Sequence, residues 1–280
     1  MQPKTLFTVL TEAEQAAGHL VAAADYADAI GAHLDVLALG VDRAQVGYYY
    51  AGASAVVMQE AITRTTEDAQ AVEAAARAAL DARAGLRWAV DRATCQLADL
   101  GRVVGQRARF SDLVILPKPY GEADAADLEA TVEGALFDGM GRVVVLPEGC
   151  GLSRLSRLSV AWNDSTEALA AARAALPWLN AAEQTKLVVV DPPAHSRDRS
   201  DPGGAVSEFL ARHGVNVEID VLAKSLPRIS DVLLRHAQDN SIDMIVMGAY
   251  GHSRFREAIL GGATRHMLEQ TDRPLFLCHG

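Results

Sequence analysis

Short apolar runs alternate with longer, alanine-rich amphipathic segments along the whole chain, and this alternation constrains the fold more than any other feature. Each apolar run has the length of one buried strand, and each amphipathic segment has the length of a helix that covers a sheet. Strands that alternate with helices are typical of βα units and a parallel sheet. The sequence therefore predicts an α/β protein.

The alternation occurs twice, in the same order. Strands are predicted in the first half at Thr5–Leu10, Leu34–Leu39, Leu86–Val90, Asp112–Leu116 and Arg142–Leu146, and in the second half at Leu158–Trp162, Lys186–Val190, Val215–Val221, Asp243–Met247 and Pro274–Cys278. Helices are predicted at Glu12–Ala32, Ala55–Ala84, Cys95–Arg109, Ala125–Met140, Ser165–Leu179, Gly204–His213, Ile229–Asn240 and in a segment ending near Gln270. The repeat predicts two tandem domains, residues 1–148 and 155–280, joined by a short linker around Pro147–Ser156.

Composition restricts the classes of protein to which the chain can belong. Half of its 280 residues are hydrophobic, so it can bury a large core. The 36 acidic residues outnumber the 26 basic ones, and the net charge of −10 argues against broad binding to nucleic acid or to an anionic membrane. The three cysteines form no CxxC pair, and the amino terminus lacks a signal-peptide pattern. We therefore expect a soluble cytoplasmic protein.

A glycine-spaced segment follows the predicted strand Asp243–Met247. Gly248, Gly251, Gly261 and Gly262 precede a predicted helix. Glycine lets a ligand approach the main chain closely, and a helix start presents N–H groups and a positive dipole end that suit a phosphate. The pattern predicts an anion or nucleotide site at the carboxyl edge of the sheet. The alternative is structural, because glycines also end strands and cap helices in other α/β proteins.

In this combination of repeat and glycine spacing, the chain resembles the universal stress protein family in its tandem two-domain form. Family members that bind ATP carry G-x-x-G, nine residues and then G-(S/T) after the fourth strand, and Gly248, Gly251 and Gly261 match the three glycines. The segment Asn163–Ser165 stands where the family has an Asp-Gly-Ser-like turn. The resemblance covers nearly the whole chain. It implies two five-stranded, parallel α/β/α sandwich domains of the Rossmann-like (HUP, adenine nucleotide alpha hydrolase-like) type.

The resemblance also implies a site for ATP or ADP, with Mg²⁺ as a companion, in the second half. The adenine and ribose would lie between the ends of the first and second strands, and the phosphates would lie over the glycines. The implied nucleotide-binding residues are Ala161, Asn163, Val189, Met247, Gly248, Gly251, Gly261 and Gly262. Candidate phosphate contacts are Ser253, Arg254 and Thr264, although a solvated basic loop explains Ser253 and Arg254 equally well.

Two residues of the second half depart from the family pattern. Asn163 replaces an aspartate and retains a neutral acceptor for ribose hydroxyls. Gly262 replaces a serine or threonine, and its backbone N–H remains as a donor. Since one neutral hydrogen bond is worth about 1 kcal/mol, we expect these changes to weaken binding rather than to abolish it.

The first half departs further from the pattern. Its corresponding loop, Pro117–Glu122, has one glycine and two prolines, which lack N–H donors. Glu122, Asp124 and Asp127 bring negative charge to the place of a phosphate, and the first strand runs into Leu10-Thr11-Glu12 without the family turn. We expect this half not to bind nucleotide in the family manner.

The sequence predicts neither a catalytic centre nor a metal site. It contains no G-x-S-x-G and no P-loop, and its eight histidines have no metal-binding spacing. A helix N-cap explains Asp164 and Ser165 better than catalysis does. Cys95 is predicted in a helix, as a core residue rather than a nucleophile, and Arg265 and His266 are predicted on an exposed helix face.

These observations predict a stress-response sensor or regulator that binds an adenine nucleotide and hydrolyses it slowly at most. The alternative is a nucleotide-independent interaction or small-molecule-binding module that works through the Tyr48–Tyr50 loop and the long helix after it. An adenylating or transferase enzyme is the least favoured interpretation. We expect the two domains to pack as a pseudo-two-fold pair through their fifth strands, with an unknown protein partner and further homodimerisation left open.

Overall fold

The computed structural model describes residues 2–43, 55–119, 125–192, 201–249 and 262–279. The chain divides into two compact units, Gln2–Gly141 and Arg142–Gly280. The strand Arg142–Leu146 falls in the second unit, because it pairs with the last strand of the chain. The domain limits 1–148 and 155–280 stay predictions.

The first unit contains a parallel sheet with helices between its strands. Its elements are β1 (Thr5–Leu10), α1 (Ala16–Ile30), β2 (His33–Asp42), α2 (Ala55–Asp81), β3 (Arg87–Gln96), α3 (Leu100–Ala108), β4 (Leu113–Pro117) and α4 (Ala125–Glu133), which continues as a π-helical turn, Gly134–Asp138. The strands lie in the order β3-β2-β1-β4, and each pair is parallel.

The second unit repeats this order. Its elements are β5 (Arg142–Leu146), β6 (Arg157–Trp162), α5 (Thr166–Ala174), α6 (Leu176–Ala181), β7 (Gln184–Val190), α7 (Gly204–Arg212), β8 (Val217–Leu222), α8 (Ile229–Asp239), β9 (Met244–Gly248), α9 (Ala263–Gln270) and β10 (Leu275–Cys278). The parallel strands lie in the order β10-β9-β6-β7-β8, and β5 pairs with β10 in antiparallel fashion. The predicted α/β fold class is confirmed, as is the pairing of the two fifth strands. The pseudo-two-fold arrangement stays a prediction.

The central strands are mostly apolar, as expected for strands whose two faces are both covered. Leu6 and Leu10 of β1 are fully buried, as are Leu158 of β6 and Phe276 of β10. Burial of a side chain of this size stabilises the fold by roughly 1.5–3 kcal/mol. Within the described residues, no helix is long and apolar enough to cross a membrane.

Helix α2 is longer than the sheet it covers. Its buried residues recur every three or four positions, at Thr65, Ala69, Val72, Ala76 and Leu80. The preceding turns are exposed on all sides, and Val56 and Ile62 have 64% and 58% of their surface accessible. The first turns of α2 therefore lie outside the packed body of the first unit.

Two of the predicted helices need a correction beyond small shifts of their ends. Cys95, predicted in a helix, lies in β3, which runs on to Gln96 because β2 pairs with it as far as Asp42. The helix predicted at Ser165–Leu179 is two helices, and the break at Ala175 precedes Pro177, whose ring nitrogen cannot donate a helical hydrogen bond.

Candidate functional site

The carboxyl ends of β9, β6 and β7 bring three of the predicted site residues together. Ala161 of β6 is the register partner of Met247 of β9, and the next residue of β6, Trp162, is the partner of Val189 of β7. The chain proceeds from β6 to β7 and β8 on one side and returns to β9 and β10 on the other, so β6 and β9 form a topological switch point. In open α/β sheets, ligands bind in the crevice outside such a point.

The turn after β6 is fixed by its own side chains. The Oδ1 of Asn163 accepts a hydrogen bond of 3.3 Å from the backbone N–H of Ser165, and Asp164 adopts a left-handed conformation with φ of 61°. The Ser165 hydroxyl accepts a bond of 3.1 Å from the N–H of Ala168. Ser165 is therefore the N-cap of α5, as predicted, and the exposed Asn163 side chain is held at the crevice by the turn.

Gly248, at the end of β9, lies against the first turn of α5. A Cβ at this position would come within 2.5 Å of the backbone nitrogen of Ala168 and 2.6 Å of the carbonyl carbon of Glu167. The absence of a side chain thus allows the helix to pack on the strand, whether or not a ligand approaches. This close contact brings the N-terminus of α5 to the switch point.

Helix α9 begins at the last glycine of the predicted loop. Gly262 is its N-cap residue, and Thr264 in its first turn is only 4% exposed. The Thr264 side chain is thus enclosed by the protein, and its contact with a phosphate stays a prediction. The other predicted residues of this loop lie outside the described residues, namely Gly251, Ser253, Arg254 and Gly261.

Val189 is covered by the residue that precedes α7. It is 6% exposed, and Gly203, with φ of 84°, lies so close that a Cβ there would be 3.3 Å from its Cγ2. The side chain of Val189 is therefore part of the packing between β7 and α7.

A cluster of polar side chains that the sequence analysis missed joins α8 to α9. The Ser230 hydroxyl lies 2.8 Å from Nδ1 of His266, and the Asp231 carboxylate lies 3.5 Å from the same nitrogen. The expectation that His266 is exposed is wrong, since 13% of its side chain is accessible. Arg265 faces outward and pairs with Glu269, as expected for a solvated position.

A second missed cluster holds the edge strand β8. Lys186 of β7 lies 2.8 Å from Glu218 and 3.5 Å from Asp220, both on β8, and Asp220 also lies 2.8 Å from Nε2 of His236 in α8. The hydrogen bond to Glu218, together with the charge of Asp220, raises the pKa of Lys186 against the opposing effect of burial. The contacts of Lys186 with Glu218 and Asp220 thus hold β8 against β7. The contact of Asp220 with His236 connects β8 to α8.

In the first unit, an ion pair crosses the corresponding edge of the sheet. Arg43, directly after β2, donates from Nε to Oδ2 of Asp127 over 3.0 Å, and its terminal nitrogen lies 2.6 Å from the same oxygen. That terminal nitrogen is also 3.8 Å from Glu12, which follows β1. Asp127 belongs to the first turn of α4, so one arginine connects the ends of β1 and β2 with the start of this helix.

The three thiols are poorly suited to nucleophilic chemistry. Burial, reinforced by Asp99 and Asp127, raises the pKa of Cys95 to about 11. Burial also raises the pKa values of Cys150 and Cys278. Since the thiolate is the reactive form, these groups are weak nucleophiles at neutral pH. In the part of the chain that the structure describes, no group of three or more His, Cys, Asp or Glu side chains is placed to hold a metal ion.

Comparison with known proteins identifies the second unit. Residues 155–279 match the model of the universal stress protein family. The second half of this chain belongs to the universal stress protein family. The switch point between β6 and β9 therefore lies within a universal stress protein domain, and the resemblance inferred from the glycine spacing is confirmed.

Two curated relatives are universal stress proteins as well. The chain is 32% identical over 73 residues to one from Synechocystis, a match that covers 26% of this chain and 24% of that protein. It is 24% identical over 58 residues to one from Methanocaldococcus jannaschii, a match that covers 21% of this chain and 35% of that protein. The matched part thus spans only about a quarter to a third of these relatives.

The likeness of fold extends to the first half. A universal stress protein from Archaeoglobus fulgidus has a crystal structure that matches 99% of this chain and 96% of its own, with a TM-score of 0.68 and 16% identity. At this identity the likeness concerns the fold alone. The match and the repeated strand order both indicate that the first unit has the same fold as the second. The residues at the carboxyl edge of its sheet are different.

Proposed function

We propose that the universal stress protein domain binds an adenine nucleotide, ATP or ADP, at the carboxyl ends of β9, β6 and β7. The observation that carries this proposal is the register pairing of Ala161 with Met247 across the switch point. The small side chain of Ala161 leaves room beside the strand ends, and switch points are where sheets of this type receive ligands.

The surroundings of the crevice support a ligand with hydroxyl groups and phosphates. Asn163 provides a carboxamide that a ribose hydroxyl can meet, and Gly262 begins a helix whose positive end suits a phosphate. The carboxamide is neutral, so its loss would weaken ribose binding by about 1 kcal/mol, which is about a fivefold change in affinity.

The protein would act as a sensor or regulator in the response to stress, with slow hydrolysis of the nucleotide at most. Binding would change the surface that the domain offers to a protein partner. The raised pKa values of the three thiols, which keep them protonated at neutral pH, fit a protein with little nucleophilic chemistry of its own.

The first experiment is mass spectrometry of small molecules released by denaturing the freshly purified protein, followed by calorimetric titration of stripped protein with ATP, ADP and GTP. Recovery of ATP or ADP, or an adenine-dependent titration, is the expected result. If millimolar ATP and ADP give neither heat nor a thermal shift in the stripped protein, and none is released by denaturation, nucleotide binding is refuted.

A matched pair of variants locates the site. Ala161→Leu should reduce nucleotide affinity at least about tenfold, because the larger leucine side chain would occupy the space that the nucleotide needs. Ala17→Leu makes the same change on the exposed face of α1 and should leave affinity unchanged. Equal affinities for the two variants would place the nucleotide elsewhere.

The exposed start of α2 favours a second candidate function, a nucleotide-independent interaction module. Val56, Met58 and Ile62 are accessible to 64%, 41% and 58%, which is unusual for neighbouring apolar residues of one helix. Two results together would support this function over the first. The purified protein would carry no nucleotide, and its binding to a protein partner would be lost in the variant Ile62→Asp.

A further inference from the structure

The ion pair of the first unit crosses the topological switch point of its sheet. The strand order β3-β2-β1-β4 places β1 between β2 and β4, with the change of direction between β1 and β4. Arg43 leaves the end of β2, and Asp127 lies in the helix that follows β4. A contact between them must pass over the carboxyl end of β1, and the 3.8 Å separation of Arg43 from Glu12 fits that path.

The carboxylate at the centre of this contact is enclosed. Only 4% of the Asp127 side chain is accessible, whereas 43% of the Arg43 side chain is accessible. Two nitrogens of one guanidinium lie within 3.0 Å of a single Asp127 oxygen. A buried carboxylate is costly unless it is paired and hydrogen-bonded, so the contact is a fixed part of the folded unit rather than a surface pair.

Asp127 also occupies a position that favours negative charge for a second reason. It lies in the first turn of α4, where the backbone N–H groups and the helix dipole attract an anion. Helix α4 follows the fourth strand of its unit, as α9 follows β9 in the second unit. The start of α4 is therefore the counterpart of the helix start at Gly262.

We propose that the Asp127 carboxylate, clamped by Arg43, is a built-in substitute for a bound phosphate and keeps the first unit permanently in a ligand-occupied form. This inference does not depend on whether the second unit binds nucleotide.

The test removes the Asp127 carboxylate by substitution and then supplies inorganic phosphate as an external anion. Asp127→Ala should lower the melting temperature by about 10 °C, because Arg43 loses the enclosed carboxylate that pairs with it. Inorganic phosphate should then raise the melting temperature of the variant more than that of the wild type, compared with chloride at matched ionic strength. Line broadening of the phosphate ³¹P signal by the variant should accompany the shift.

Two further variants distinguish this effect from general salt stabilisation. Asp127→Asn fills the same space without charge, so it should be destabilised but should not gain a response to phosphate. In the double variant Arg43→Gln with Asp127→Ala the clamp is removed, and the phosphate response should disappear. If Asp127→Ala does not fold, Asp127→Ser provides the same vacancy with a residue that suits a helix start.

A phosphate response of Asp127→Ala, or of Asp127→Ser, no larger than that of the wild type would overturn the proposal. So would a response that the double variant retains. Phosphate that stabilises the wild type and all the variants equally acts through the second unit or through general salt effects.

Discussion

The Ser230 hydroxyl lies 2.8 Å from Nδ1 of His266 and joins the first turn of α8 to α9, the helix that begins at Gly262. Ser230 is 1% exposed, so its hydroxyl depends on this partner rather than on water. The contact fixes the position of α9 relative to the rest of the second unit.

His266→Leu should therefore lower the free energy of unfolding by about 1–3 kcal/mol, since a buried hydroxyl loses its partner. Ser230→Ala should cost about 1 kcal/mol, and the double variant should cost less than the sum, with a coupling of about 1 kcal/mol. Urea denaturation of the four proteins measures this cycle. Strictly additive costs would mean that the two side chains do not stabilise each other.

Gly248→Ala should destabilise the protein by about 1–3 kcal/mol, because the new methyl would lie 2.5 Å from the backbone nitrogen of Ala168 and 2.6 Å from the carbonyl carbon of Glu167. Gly18→Ala is the matched control. No atom lies within 4 Å of a Cβ at position 18, and alanine is the better helix former by roughly 1 kcal/mol. Chemical denaturation should show loss in the first variant and no loss in the second. Equal stability of the two variants would contradict the close packing of α5 on β9.

Cys95 should react slowly with iodoacetamide at neutral pH, and its rate should rise with pH until about 11, the value to which burial, Asp99 and Asp127 raise its pKa. Asp127→Asn removes one of the two negative charges and should increase the rate at a given pH. Peptide mapping of the alkylated protein separates Cys95 from Cys150 and Cys278. A rate that is independent of pH between 8 and 10 would be inconsistent with this pKa.

Stability should fall at alkaline pH partly through Lys186, whose pKa is raised in the folded state by its hydrogen bond to Glu218. The folded state keeps the proton to higher pH than the unfolded state, so the contribution is complete below 10.5, the ordinary value, and is lost as pH rises above it. Lys186→Met should therefore show a shallower decline above 10.5 than the wild type. Lys224→Met changes an exposed lysine and serves as the control in the same pH series.

Much of the scaffold could be predicted from the sequence because its central strands are mostly apolar. β1 and β5 have the predicted limits, since both are short and mostly buried, and β5 lies between Gly141 and Pro147. β3 was harder to delimit, because it is an edge strand whose residues alternate in exposure, and its extension to Gln96 follows from pairing with β2. Such tertiary pairing overrides local propensity.

The candidate site was predicted in its main-chain part, and its binding of a nucleotide stays a prediction. The glycine spacing pointed to Gly248 and the family resemblance implied Ala161, and both residues lie at the switch point. The side-chain contacts were not predictable, because Arg43 and Asp127 are 84 positions apart and no local pattern relates them. Ser230 and His266 lie 36 positions apart, and they meet only because two helix starts come together.

The antiparallel pairing of β5 with β10 has a consequence for folding during synthesis. β5 is the first strand of its unit to leave the ribosome, and its partner is the last strand of the chain. Pairings between distant segments form slowly, because closing the intervening loop costs entropy before the contacts stabilise it. The apolar residues Val143, Val144 and Val145 therefore lack their β10 partner until translation has reached the C-terminal strand. At this stage the nascent chain most needs protection from aggregation.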